Sequence, residues 1–289
     1  MVRDSIQFVF FGSDSFSTTV LDKLMASGLT PALIITTPET PVGRKHTLTP
    51  SQVGVWANEQ GIECLSPKTL DDTSLLARLR GSEWDLFVVA VYGKKIPKPI
   101  LILPKHGTLN VHPSLLPELR GPSPIKSAIL SGERETGVTI MLVTEKMDAG
   151  PIVAQKSISL EAWPWPPKAS SLRTLLAETG GALLAETIPR WISGTITEKE
   201  QDDKKATYSK KLTKADGLID LGGDPYQNFL KIRAFEEWPG TYFFTKRRGK
   251  EIRVLVKSAD FTDGKLLLTR VRPEGGREMS YDDFLRGAS

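Results

Sequence analysis

Hydrophobic positions along the first 160 residues switch repeatedly between solid blocks and a helical period. Ile6–Phe11 is a largely apolar block that ends at Gly12, as a strand buried on both faces requires. Ser13, Asp14 and Ser15 then offer N-cap oxygens, and Phe16, Val20, Leu21 and Leu24 recur at helical spacing before Gly28 ends the run. The same reading predicts strands over 32–37, 61–65, 85–92, 108–112, 137–143 and 152–158. It predicts helices over 51–60, 71–80 and 122–131. Strand–helix–strand alternation implies an α/β fold: a Rossmann-like, mostly parallel sheet with helices on both faces.

The alternation stops at Trp163-Pro164-Trp165-Pro166-Pro167, because proline can continue neither a helix nor an inner strand. A long amphipathic helix is predicted from Ser170 to about Ile192, closed by Gly194. Glu198–Lys205 has no apolar residue and reads as a linker. Beyond it, a helix over 225–235 and strands over 241–245, 251–258 and 265–271 predict a small β-barrel or open β domain. The expected division is an α/β domain over 1–197, a linker over 198–206 and a β domain over 207–289.

Composition narrows the function classes. Hydrophobic residues make up 39% and charged residues 25% of the 289, an ordinary globular balance, and no apolar run reaches membrane length. Met1–Gln7 shows no leader pattern, so a cytoplasmic protein is expected, with no membrane partner and a monomeric state. The single cysteine, Cys64, excludes internal disulfides and reads as an inert thiol in a short strand. His46, His106 and His112 show no metal-ligand spacing, so no metal is expected. One glycine, Gly12, stands where a dinucleotide fingerprint needs three, and bulky Phe16 follows, which argues against NAD.

Charge is uneven. Residues 205–289 hold 17 Lys and Arg against 12 Asp and Glu, whereas the first 204 residues hold 21 against 22. That asymmetry points to an anionic partner for the last third, nucleic acid being the commonest. Within it, Lys246, Arg247, Arg248, Lys250, Arg253 and Lys257 face only Glu251. The cluster reads either as a charged edge that discourages sheet pairing or as a phosphate-contacting surface.

Candidate chemistry gathers near the end of the strand at 108–112. Pleating puts Asn110 and His112 on one face, and Asp148 follows a later strand. If the strands are parallel, their carboxyl ends share an edge and the three side chains can meet. An amide donor, an imidazole and a carboxylate suit transfer of an acyl-type carbon to an amine: donors stabilise the oxyanion and the carboxylate accepts protons. Asp148 would also raise the His112 pKa. Each residue alone also fits a structural part, as a turn cap or backbone partner. Ser114, His112 and Asp148 could form a hydrolytic triad, although Ser114 lacks the G-x-S-x-G elbow.

The strings Asn110-Val111-His112-Pro113-Ser114-Leu115-Leu116-Pro117, Arg120-Gly121-Pro122-Ser123-Pro124-Ile125, Glu135-Thr136-Gly137-Val138-Thr139 and Asp148-Ala149-Gly150 resemble the formyltransferases that use 10-formyltetrahydrofolate. Arg233-Ala234-Phe235 with Trp238-Pro239 matches the second domain of members that act on a charged initiator tRNA. The resemblance implies that Asn110, His112 and Asp148 are catalytic. It implies that Ser114, Leu115, Leu116 and Pro117 line the folate site, with Tyr92 and Gly93 beside the pterin. It further implies an OB-like β-barrel that contacts tRNA after the Rossmann-like domain, and a basic loop, here Arg44–Lys45, at the acceptor end. The phosphate-contacting reading of the basic cluster then places tRNA contacts at Arg247, Arg248, Lys250 and Arg253. That loop departs from the usual Gly-Arg-Gly-Lys-Lys, reading Gly43-Arg44-Lys45-His46. The implied reaction is formyl transfer to the amino group of methionyl-initiator tRNA. A formyltransferase acting on a nucleotide-linked amino sugar, or an inactive tRNA- or folate-binding relative, shares much of the pattern.

Overall fold

The computed structural model describes residues 6–42, 47–247 and 249–287. Arg44, Lys45 and Arg248 lie outside the described residues. The chain divides into two compact units: 1–120 with 137–158 and 174–208, and 121–136 with 159–173 and 209–289.

Unit 1 is built on β1 (Phe8–Gly12), α1 (Ser15–Ala26), β2 (Leu33–Ile35), the hairpin β3 (Thr40–Val42) and β4 (Thr47–Thr49), α2 (Gln52–Gln60), β5 (Cys64–Leu65), α3 (Thr73–Arg80), β6 (Leu86–Ala90), α4 (Lys98–Leu101) and β7 (Thr108–His112). The chain then passes through α5 (Pro124–Ser131) to β8 (Glu135–Leu142), β9 (Ile152–Ser159) and α6 (Ala169–Ile192). Seven strands form one sheet in the order β5-β2-β1-β6-β7-β8-β9. The first five are mutually parallel, and β8 runs antiparallel to β7.

Every residue of β1 is buried, which accounts for its unbroken apolar run. Asp14 caps α1, its carboxylate accepting from Phe16 N at 3.0 Å and Ser17 N at 3.4 Å. The Ser17 hydroxyl donates to the Ala90 carbonyl at 2.6 Å and ties α1 to the end of β6. A Cβ on Gly12 would meet Ser17 Cβ at 2.7 Å, so this glycine serves close strand–helix packing. Cys64 is half-buried, and burial pushes its thiol up to about 11, which keeps it protonated and inert. Among the described residues, no helix is long and apolar enough to cross a membrane.

Unit 2 holds α5, α7 (Pro225–Ala234), β10 (Thr241–Arg247), β11 (Lys250–Thr262), β12 (Lys265–Pro273), β13 (Met279–Ser280) and α8 (Tyr281–Arg286). The four strands form an antiparallel sheet in chain order. Phe243, Val254, Val256 and Val271 pack with Phe229 and Ile232 of α7 and Phe284 of α8. The proline cluster belongs to this unit: Trp165 Nε1 donates to the Tyr226 hydroxyl at 2.8 Å, and Arg233 Nε to the Pro166 carbonyl at 2.8 Å.

Candidate active site

Strand order reverses between β1 and β6, and ligands of open α/β sheets lie at the carboxyl edge beside such a reversal. Gly12 pairs with Ala90, and Val89 with Asn110. Three segments therefore leave adjacent strands at that edge: Ser13–Asp14, Val91–Gly93 and Pro113–Pro117. Val91, Leu119 and Asp148 all have left-handed φ values, 48°, 56° and 50°. Non-glycine residues hold that conformation only where surrounding contacts over-determine it.

His112 is the last residue of β7 and 4% exposed. Its Nε2 lies 3.1 Å from the Leu119 carbonyl, which only accepts, so Nε2 carries a proton. Nδ1 faces Asp148 Oδ1 at 3.8 Å, too far for a direct hydrogen bond. Burial holds the imidazole below its ordinary value, outweighing the upward pull of Asp148 and the Leu119 carbonyl. The expectation of a raised His112 pKa is thus corrected: Asp148 acts in the expected direction, but desolvation wins. A neutral ring presents its Nδ1 lone pair toward the Asp148 carboxylate, and a cationic donor placed between them can donate to both.

Asp148 reaches this point by a route that a parallel sheet would not give. The segment 113–134 leaves the carboxyl end of β7 and re-enters at the same edge, so β8 runs antiparallel, with His112 opposite Thr139 and Leu109 opposite Leu142. The chain after β8 folds back to carry Asp148 to His112. A Cβ on Gly150 would sit 1.8 Å from the Leu142 carbonyl, so only glycine permits the return. Asn110 is half-buried and shares the His112 face of β7.

The Ser114–Pro117 loop is held from behind by Thr139, which the sequence offered only as the end of a motif string, and by Gln155, which it did not mark. Thr139 Oγ1 donates to the Ser114 carbonyl at 2.7 Å and accepts from Leu116 N at 3.1 Å. Gln155 Nε2 donates to Thr139 Oγ1 at 2.8 Å and to the Leu116 carbonyl at 2.9 Å. A hydroxyl inside the apolar run 137–143 was the available signal for Thr139; nothing marked Gln155. The Ser114 hydroxyl donates to the Glu118 carbonyl at 2.6 Å while His112 Nε2 is engaged at Leu119, so the two do not form a hydrolytic dyad. Leu116 is buried and Leu115 and Pro117 half-buried. The Tyr92 ring is 2% exposed and packs edge-on against Phe11 at 5.5 Å, so it belongs to the core beneath the edge, whereas Gly93 is exposed.

In unit 2, Arg247 Nε donates to the Gly287 carbonyl at 3.2 Å and its guanidinium lies 5.4 Å from the Phe284 ring centre. Arg253 lies 3.8 Å from the Tyr242 ring centre. Both are thus engaged within the unit, whereas Lys246, Lys250 and Lys257 are exposed. Among the described residues, no group of three or more His, Cys, Asp or Glu side chains could hold a metal.

Residues 6–185 match the family model described as formyl transferase. The chain is 38% identical to a methionyl-tRNA formyltransferase of Halalkalibacterium halodurans, across 98% of this chain and 95% of that protein. A solved methionyl-tRNA formyltransferase from Clostridium thermocellum superposes with a TM-score of 0.62 at 14% identity, covering 93% of this chain and 98% of that one. HypX from Aquifex aeolicus in complex with tetrahydrofolic acid superposes with a TM-score of 0.62 at 20% identity, over 97% of this chain and 46% of that one.

Proposed function

The chain belongs to the formyl transferase family, and we propose that it moves the formyl group of 10-formyltetrahydrofolate onto the amino group of methionyl-initiator tRNA. The observation that carries this reading is the pair of acceptors, His112 Nδ1 and Asp148 Oδ1, facing each other across 3.8 Å at the sheet's carboxyl edge. An amine arriving as ammonium can donate to both of them.

The steps follow from the groups present. The ammonium gives one proton to the His112–Asp148 pair, and the resulting imidazolium is stabilised by the carboxylate. The freed nitrogen lone pair forms a bond to the formyl carbon, and the carbonyl electron pair moves onto oxygen. Asn110 donates a hydrogen bond to that oxyanion, and the nearby imidazolium charge stabilises it. Collapse re-forms the carbonyl and breaks the bond to folate N10, which leaves with its electron pair and takes a second proton from the attacking nitrogen. Release of the first proton restores His112. No covalent enzyme intermediate is needed.

In this reading Ser114–Pro117 and the backbone at Tyr92–Gly93 border the folate. The α/β portion up to residue 197 performs the chemistry, 198–206 joins it to the rest, and 207–289 contacts the tRNA. Arg44 and Lys45 approach the acceptor end. The protein acts as a cytoplasmic monomer. Lys246 and Lys250 are the freest candidates for phosphate contact, and Arg247 and Arg253 act through the sheet that presents them. The test is formyl transfer from 10-formyltetrahydrofolate by the full chain. Charged initiator tRNA should be formylated, and elongator methionyl-tRNA and nucleotide-linked amino sugars should not. Formylation of the sugar in place of the tRNA would replace this reading with the sugar-enzyme one.

A further inference from the structure

The segment from Lys199 to Tyr208 touches both groups that flank the His112 ring. Lys199 exchanges backbone hydrogen bonds with Ile152, 2.8 Å in each direction. The Gln201 side-chain amide donates to the Asp148 carbonyl at 3.0 Å and the Gly150 carbonyl at 2.7 Å. Its oxygen accepts from Arg120 Nε at 2.9 Å. Arg120 is 3% exposed, pairs with Asp203 at 2.8 Å and reaches the Tyr208 hydroxyl at 3.4 Å. At the far end, Leu119 N donates to Thr207 Oγ1 at 2.8 Å and Arg120 N to the Thr207 carbonyl at 2.9 Å.

These contacts account for two unfavourable backbone conformations. Asp148 and Leu119 hold left-handed φ values that non-glycine residues adopt only when their surroundings hold them there. Gln201 clamps the first through two donors, and Thr207 clamps the second. Arginine only donates, so it fixes which end of the Gln201 amide is oxygen and turns the two N–H groups onto the Asp148 turn. We propose that Gln201, oriented by Arg120, is a positioning residue that sets the separation between the Asp148 carboxylate and the His112 ring. This rests on the assignment of His112 and Asp148 to formyl transfer.

The test reads His112 directly, without substrate. The chain has three histidines, so the His112 imidazole resonance is identified by its loss in His112→Ala. Asp148 is the ionisable side chain facing that ring; its other nitrogen meets an uncharged carbonyl. In Gln201→Ala the carboxylate is released from its place, and the His112 midpoint should move to lower pH by about half a unit or more. Gln201→Leu keeps much of the bulk, adds no charge and lacks both donors, and should shift the midpoint in the same direction. In formyl transfer, both variants should lose about 10–100-fold in kcat, with folate KM within about twofold. In an Asp148→Asn background, Gln201→Ala should cost less than about twofold further, because the clamp acts through that carboxylate. A parent-like His112 titration in both folded variants overturns the proposal. So does an undiminished loss in the Asp148→Asn background, which makes Gln201 a packing residue only. If the parent formylates nothing while Gln201→Ala still moves the His112 midpoint, the clamp stands and the assigned reaction falls.

Discussion

His112 is buried and neutral because desolvation outweighs its carboxylate neighbour, and a neutral ring is what accepting an ammonium proton requires. Two pH effects follow. The kcat/KM should lose rate on the acid side as pH falls through the depressed His112 value and gain nothing from this group above neutrality. In the unfolded chain the same ring titrates near its ordinary value of about 6.5, so the unfolded state binds the proton first. Stability fully present above that pH should therefore decline as pH falls toward the folded value. Rates and melting temperatures between pH 5 and 8 check both, and His112→Ala should lose the acid limb along with about 10²–10⁴ in kcat. An unchanged acid limb in that variant would assign the proton to another group. Asn110→Ala should cost about 10²–10³ in kcat with little effect on melting, as removal of one oxyanion donor does.

The elements behind the site make a separate prediction. The Thr139 hydroxyl on β8 bridges the Ser114 carbonyl, Leu116 N and Gln155, and valine matches its shape without the oxygen. Thr139→Val leaves Leu116 N without its partner at about 1–3 kcal/mol, so melting should fall and folate KM should rise, while Thr139→Ser should keep most of both. A rise in KM without a change in melting would mean that the hydroxyl meets the ligand itself. These elements were unequally legible in the sequence. β1 and α1 stood out because full burial and a capped helix each leave their own residue pattern. β6 is shorter than its apolar run, since Val91 turns left-handed after Ala90. The direction of β8 was hidden because pleating gives the same pattern in either sense; direction depends on where the connecting segment re-enters. His112 and Asp148 were legible as chemistry, but their meeting was reasoned from parallel strands and is achieved by an antiparallel one with Gly150 folding the chain back. Gln201 was invisible in a polar stretch, because its function lies in a partner 81 residues away.

At the scale of the whole molecule, the basic excess is confined to the last third, yet its individual cations differ in what they are free to do. Arg247 is bonded to the Gly287 carbonyl at the end of α8, so Arg247→Glu should lower melting before it affects RNA. Lys246, Lys250 and Lys257 are exposed on β10 and β11 and present their ammonium groups to solvent, where a phosphate backbone can approach them. Phosphate contacts release counterions and position the RNA without reading its sequence. Changing the three lysines together to glutamate should therefore weaken initiator and elongator tRNA alike. It should flatten the dependence of log affinity on log salt by about one for each phosphate no longer neutralised. Folate KM and the His112 titration should stay as in the parent, because these groups belong to the other unit. Filter binding at several salt concentrations measures the slope, and a thermal melt of the triple variant shows that the sheet is intact. A folded triple variant with the parental slope would make these lysines a solvated edge and move the RNA path to another surface.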